Sequence, residues 1–394
     1  MHSTCQIIIR EWNRILHLKV FYLVMLVVPA LLFSFYAYIY QEKEAKNLPF
    51  AIWDDDQSPV SRQLIFLLEQ RDALRITKRL YSEAEVQKAI QKGEIMGAVH
   101  FPVNMQNDIY SRHPTTVTLY TNAAALVPAK MVYKAAAQVI ITGSTGIILK
   151  KLVKTGMAPD RAMALANPIK LDTYQLYNAT YNYQEYLVPG LITVGMQMIL
   201  IISSMLALNY EYKTNTMPEL YELAKGSAFR VITGKTIAHL VVSWFNFTII
   251  AFILFPFFEI GVPAATGKFF ALYTLLSIAC IGIGMFISAL FKDVMLSGDV
   301  ALFYTSPAFV FSGFTFPRWA MPWYDQYYAT IMPYTPFLDT FFKIYYMNLP
   351  FYYAQADLYK LLLFPAVMFP TALILFQRQF NNSKNEAAVE PVLN

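Results

Sequence analysis

Apolar residues in this chain come in long blocks. Residues 19–40, 187–208, 231–258, 269–291, 300–316 and 361–376 are nearly free of charge. A helix rises about 1.5 Å per residue, so about 20 apolar residues cross a hydrocarbon core. The blocks predict six transmembrane helices, near 19–40, 186–208, 231–258, 269–291, 299–316 and 358–377. The third is longer than a crossing needs, which predicts tilt or an interfacial end. The fifth is short and stops at Pro317. The first is too long for a secretory signal core, and it ends in Phe35, Tyr36, Tyr38 and Tyr40 rather than in small residues. That aromatic end suits a membrane interface, so the segment is expected to stay as a span.

Outside the blocks the pattern changes twice. In residues 1–18, Ile8, Trp12, Ile15 and Leu16 recur at helical spacing beside Arg10, Asn13 and Arg14. This predicts an amphipathic helix lying in the interface. Residues 41–183 hold most of the acids and bases and alternate strand-like with helix-like pieces. LPFAIWDDD, RITKRL, MGAVHF and TTVTLYT read as strands. Ser58-Pro59 opens a helix expected over 59–74, and Ser82 to Glu85 form a capping box before another to about Lys92. Residues 126–166 read as mostly helical with a break near Gly156 to Pro159. The fold class is therefore an α-helical integral membrane protein with an inserted α/β or α+β domain.

Charge placement sets the direction of the spans. Arg10, Arg14, His17 and Lys19 precede the first span, Lys213, Lys225, Arg230 and Lys235 lie between the second and third, Lys292 follows the fourth, and Arg378 and Lys384 follow the sixth. Six spans put all of these on one face, which the positive-inside rule makes cytoplasmic, leaving 41–183 outside. The outer loop 259–268 carries only Glu259 and Lys268. The segment 317–347 is aromatic but broken by Pro322, Pro333 and Pro336; its apolar pieces are too short to span, so it reads as an outer re-entrant or interfacial hairpin. Residues 184–380 then hold spans two to six, with a cytoplasmic loop at 209–230, and 381–394 form a cytoplasmic tail.

Composition narrows the function. The chain has 394 residues, 56% hydrophobic and only 14% charged, against about a quarter charged in soluble domains. The net charge of +5 carries no basic tract, so nucleic acid is excluded as a partner. Cys5 and Cys280 make no disulfide framework, and no metal or catalytic constellation is visible. Asp54-Asp55-Asp56 reads as a polar turn after a strand, and His100 and His113 lack ligand-spaced partners. Asn178-Ala179-Thr180 fits a glycosylation pattern that is common by chance. The spans are short of titratable groups: Glu185, Glu211, Glu259 and Asp299 fall at ends, and His239, with Asn246 nearby, reads as a helix-packing donor. That argues against a proton- or ion-coupled carrier. Gly282 and Gly284 offer a face for close helix packing, a candidate dimer contact. Gly234-Lys235-Thr236 is not a phosphate loop, because position 229 is Phe and a span follows. Any ATP used must be bound by another chain.

Three stretches resemble the permease subunits of type-2 ATP-binding cassette (ABC) exporters: YLVPGLITVGMQMIL (186–200), EYKTNTMPELYELAKGSAFRVITGK (211–235) and SGFTFPRWAMPWYDQYYATIMPYTPFLDTFFKIY (312–345). The layout of interfacial helix, span, large external domain and five spans is similar as well. The run Asp56 to Leu64 resembles the start of that domain in the subgroup with a large extracytoplasmic domain. The sequence departs at Asn215-Thr216, where the family has Gly-Thr, at Pro218, where an acid is usual and Glu219 follows instead, and at Lys213, in place of a second acid. Asn can adopt the left-handed backbone that Gly would.

The resemblance implies two permeases, as a homodimer or with a sibling, assembled with two ATPase subunits that hold the ATP and Mg; this chain would carry no cofactor and no enzyme activity. It implies a bacterial cytoplasmic (inner) membrane location with both termini cytoplasmic, and a periplasmic adaptor as a further partner beside membrane lipid. The loop 209–230 and the N-terminal helix would receive force from the ATPase, through Glu211, Thr216, Glu219, Gly234 and Lys235, with Glu11 and Trp12. Alternatively, Glu211, Lys213 and Lys235 flank the spans as interfacial anchors. The expected activity is export of an amphipathic or lipophilic molecule such as a drug or lipid. A membrane receptor or scaffold with an external sensing domain is the alternative, and a membrane enzyme lacks the clustered acids or nucleophile it would need.

Overall fold

The computed structural model describes residues 2–43, 46–111, 113–169, 171–174, 176–178, 182–262 and 266–389. The chain separates into two compact units, Met1–Gln41 with Leu176–Asn394, and Glu42–Gln175. Among the described residues, seven helices are long and apolar enough to cross a membrane.

The first unit opens with α1 (His2–His17) and α2 (Lys19–Ile39). The buried stripe of α1 is Ser3, Ile7, Glu11 and Ile15, spaced four apart. Of the expected Ile8, Trp12, Ile15 and Leu16, Ile15 belongs to this stripe, whereas Ile8 and Trp12 are half-buried and Leu16 is exposed. The carboxylate at the centre of the buried stripe explains the difference, as shown below. In α2 a π turn at Leu23–Val27 precedes Pro29. Proline has no N–H for the carbonyl four residues back, and the ladder widens there. The carbonyl left open, Met25, accepts from Asn246 Nδ2 at 2.8 Å.

The second unit is a four-stranded sheet with helices. The order along the chain is β1 (Leu48–Asp54), α3 (Pro59–Glu69), β2 (Leu74–Arg79), α4 (Glu83–Gln91), β3 (Gly97–Phe101), α5 (Met105–Ser111), β4 (Thr118–Thr121), α6 (Leu126–Lys154) and α7 (Pro159–Ala166). The sheet order is β2-β1-β3-β4, parallel except for β3–β4. α3 ends five residues before the expected 74, since β2 already begins there. α6 is apolar enough to span a membrane, but Val132, Ala136, Val139 and Ile147 are buried with Phe50, Ile52, Leu64 and Val99 of the sheet unit. The acidic run after β1 serves the turn. Asp54 accepts from the Asp56 and Gln57 N–H groups at 3.2 and 3.0 Å and from the Ser61 hydroxyl at 2.9 Å; Asp55 lies 3.0 Å from His100 Nε2. Residues 179 and 180 of the glycosylation pattern lie outside the described residues.

The first unit resumes with α8 (Tyr183–Lys213), α9 (Met217–Leu223), α10 (Ala228–Phe257), α11 (Thr266–Leu290), α12 (Val294–Phe311), α13 (Trp323–Thr330), α14 (Tyr334–Phe341) and α15 (Gln355–Val389). α8 starts earlier than expected, because the Asn182 side chain caps it by accepting from Gln184 and Glu185 N–H groups. α12 also starts earlier, capped by Asp293, which leaves Asp299 inside the helix rather than at its end. Segment 317–347 forms two short helices, α13 largely exposed and α14 buried, with a π turn at Phe342–Tyr346. The core runs through α8, α11 and α14, with Ile201, Leu276, Cys280, Tyr334 and Phe337 all buried. Gly284 is where α8 and α11 meet: a Cβ there would fall 2.4 Å from the Ile201 carbonyl oxygen and closer still to Ser204 Oγ. A Cβ on Gly282 would fall 3.2 Å from Phe369 of α15. Both glycines are spent on packing within the chain and offer no dimer face.

Candidate functional site

The buried carboxylate of α1 has its partners on α8 and α10. Glu11 is 1% exposed, Glu211 0% and Lys235 1%. Lys235 Nζ donates to Glu11 Oε2 at 2.5 Å, to Glu211 Oε1 at 2.9 Å and to the Ala207 carbonyl at 3.0 Å, which uses all three ammonium protons. Arg14 reaches Glu211 at 2.7 Å and Glu11 at 3.3 Å, and Arg10 reaches Glu211 at 3.1 Å. Thr216 donates its hydroxyl to Glu211 Oε2 at 2.5 Å. His239 Nε2 lies 3.4 Å from Glu11 Oε1. At the exposed rim Glu219 lies 3.6 Å from Arg10.

Local sequence places each group. Gly234 lets α10 approach α1: a Cβ there would fall 2.8 Å from an Ile7 side-chain carbon. Lys235 follows it and points at Glu11. Asn215 takes a φ of +54°, the left-handed turn that ends α8 and returns Thr216 to Glu211. Pro218 sits in the first turn of α9 with Glu219, where a carboxylate suits the helix dipole.

Three carboxylates (Glu11, Glu211, Glu219) thus face three basic side chains (Arg10, Arg14, Lys235). The balance matters because an unpaired charge in a dry site costs several kcal/mol. Burial opposes ionisation of Glu11, yet Lys235, the His239 hydrogen bond and Arg14 outweigh it and hold its carboxyl well below the usual carboxylate range. A depressed carboxylate adds stability that is complete above its unfolded value of about 4.3 and is lost as pH falls toward the folded value. The thermal midpoint of the detergent-solubilised protein should therefore change little from about pH 8 to about pH 6 and drop below about pH 4.5. Glu11→Gln should lower the neutral plateau and flatten the acid drop. An acid drop of unchanged size in Glu11→Gln counts against this role.

Of the residues expected to matter, the structure brings together Glu11, Glu211, Thr216, Gly234 and Lys235, with Glu219 at the rim. Trp12 is half-buried against the apolar core that includes Ile7, Leu220 and Val231. Glu211 and Lys235 are not interfacial anchors, since both are buried; Lys213 is exposed. His239, read from the sequence as a helix-packing hydrogen-bonding group, links α10 to α1 through Glu11. Arg10 and Arg14 were legible only as positive charge. A Glu at the centre of the Ile7–Ile15 stripe was the signal that a buried cation would be required.

A family model described as "ABC-2 family transporter protein" matches residues 19–376. The chain is also similar to the probable multidrug ABC transporter permease YbhR of Escherichia coli K12, at 21% identity over 352 residues, which is 89% of this chain and 91% of the relative. The protein of the same name from Escherichia coli O157:H7 matches equally.

Proposed function

Because this chain belongs to the ABC-2 transporter family and is a multi-pass membrane protein, we propose that it is the permease of an exporter that moves an amphipathic or lipophilic molecule outward, powered by a separate ATPase subunit. The relative's description as a multidrug permease favours the same cargo class here. Six spans carry the chain across the cytoplasmic membrane with both termini inside, α6 being a helix of the inserted unit. That unit lies outside, where it can receive an adaptor. A second permease, identical or sibling, completes the pathway.

The observation that carries the mechanism is the ionic cluster. It ties α1, the end of α8 and the start of α10 through charged groups that cannot part without leaving a buried charge unpaired. A push on the α8–α10 loop is therefore passed to three helices as one body. In this reading Glu219, exposed beside Arg10, is the residue that meets the ATPase. Binding and hydrolysis of ATP occur on the partner; this chain supplies the lever and the path.

Inside-out vesicles containing this chain and its ATPase should accumulate a lipophilic fluorescent dye when ATP is added, and stop when the ATPase is omitted. Accumulation that persists without the ATPase would point to another energy source. No accumulation of any amphiphile, with the chain responding instead to external ligands, would favour a receptor.

A further inference from the structure

Two cavities meet at one ion pair in the outer hairpin region. Arg318, in the turn before α13, pairs with Asp339 of α14; the side chains are 33% and 28% exposed. On one side is a cavity of about 720 Å³ walled by Trp319, Trp323, Tyr327 and Ser312. On the other is a slot of about 450 Å³ whose polar mouth holds Arg318, Asp339 and Lys360, and whose floor is Pro336, Leu363, Phe364 and Val367.

Three details of the junction stand out. Ser312 is 1% exposed, lines the larger cavity and has a hydroxyl with no hydrogen-bond partner. Buried hydroxyls rarely go unpaired in a finished structure. Gly313, at φ +97°, lies under Arg318: a Cβ there would fall 3.0 Å from Arg318 Cγ, so only glycine leaves room for the side chain in this pose. Asp339 engages only one guanidinium nitrogen, Nη2, and the other donors have no protein acceptor among the described residues. The surrounding charge is positive. Arg318, Lys343 and Lys360 stand against Asp339 and Asp357, with Lys343 at 2.8 Å and Lys360 at 3.4 Å from Asp357.

We propose that this junction binds a phosphate-bearing amphiphile: the phosphate on the free donors of Arg318, the rest of the headgroup in the aromatic cavity against the Ser312 hydroxyl, and a hydrocarbon chain along the Leu363–Val367 floor. A planar guanidinium suits phosphate geometry. Leu363 and Val367 are 61% and 51% exposed, so the slot opens sideways as an acyl chain in a bilayer requires. A free phosphate would use only the head of this site. A neutral lipid would leave the guanidinium unanswered. The proposal needs only that the chain is embedded in a membrane, and stands apart from what it transports.

The test is native mass spectrometry of the full chain, with any subunits that copurify, titrated in nonionic detergent with dioleoyl phosphatidylglycerol, with dioleoylglycerol, or with inorganic phosphate. Phosphatidylglycerol should be retained, and neither of the others should bind or displace it at equal concentration. Leu363→Trp fills the slot from an exposed position and should weaken retention about tenfold without lowering the thermal midpoint. Arg318→Gln with Asp339→Asn removes both charges together and should do the same; if that pair fails to fold, the Leu363 variant decides. Equal retention by wild type and Leu363→Trp would mean lipid bound only around the perimeter and would overturn the site. Displacement by phosphate alone would overturn the amphiphile in favour of a free anion.

Discussion

Replacing Lys235 by methionine is expected to destabilise the protein by about 3–5 kcal/mol, because Glu11 and Glu211 lose the cation that both share inside a dry contact. Arg14 and Arg10 still reach Glu211, but Glu11 keeps only Arg14, at 3.3 Å, and His239, at 3.4 Å. Glu11→Gln alone should also be costly, since it leaves the charge count positive. Combining the two restores the balance, so the double variant should be less destabilised than the sum of the singles by about 1–3 kcal/mol. Thermal unfolding of the four proteins in one detergent measures this cycle. Strict additivity, or an unchanged midpoint for Lys235→Met, would mean that the cluster does not hold α1 to α8 and α10.

The second large effect separates transmission from folding. Glu219 has a side chain 75% exposed and lies 3.6 Å from Arg10. Glu219→Lys should change stability by no more than about 0.5 kcal/mol. If Glu219 faces a basic or hydrogen-bonding patch on the ATPase, charge reversal should cut ATP-driven transport by about tenfold or more, since like charges brought together at an interface cost several kcal/mol. Hydrolysis by the assembled complex should fall or lose its dependence on substrate. A folded Glu219→Lys protein that transports at the wild-type rate would remove Glu219 from the coupling path.

The spans were legible because lipid imposes a simple demand: long apolar runs with their backbone satisfied internally. Their ends were less so. Hydropathy registers the hydrocarbon core, whereas α8 continues to Lys213 and α12 begins at Val294 because capping and hydrogen bonding extend past the membrane. Pro29 leaves the Met25 carbonyl open, and nothing local names Asn246, 221 residues away, as its donor. The same limit governs the ionic cluster. Glu11, Glu211 and Lys235 were each singled out through family resemblance, yet Glu11 and Lys235 are 224 positions apart and their meeting is a property of tertiary packing. Arg10 and Arg14 were read as topology signals, a role that needs no partner, so their second role as buried counter-charges was hidden. On α1 hydrophobicity picks out the buried Ile15 but ranks Ile8 and Trp12 above a glutamate. Once Lys235 is placed opposite, Glu11 becomes the more buried residue.

The permease proposed above works with a separate ATPase received at the α8–α10 loop. Purification of the tagged chain from its native membrane in mild detergent, with mass spectrometry of what comes with it and an ATPase assay, tests it most directly. A stoichiometric nucleotide-binding subunit and measurable hydrolysis are expected, both lost or uncoupled in Glu219→Lys. A chain that purifies alone and without ATPase activity across several detergents would contradict it and favour the receptor or scaffold.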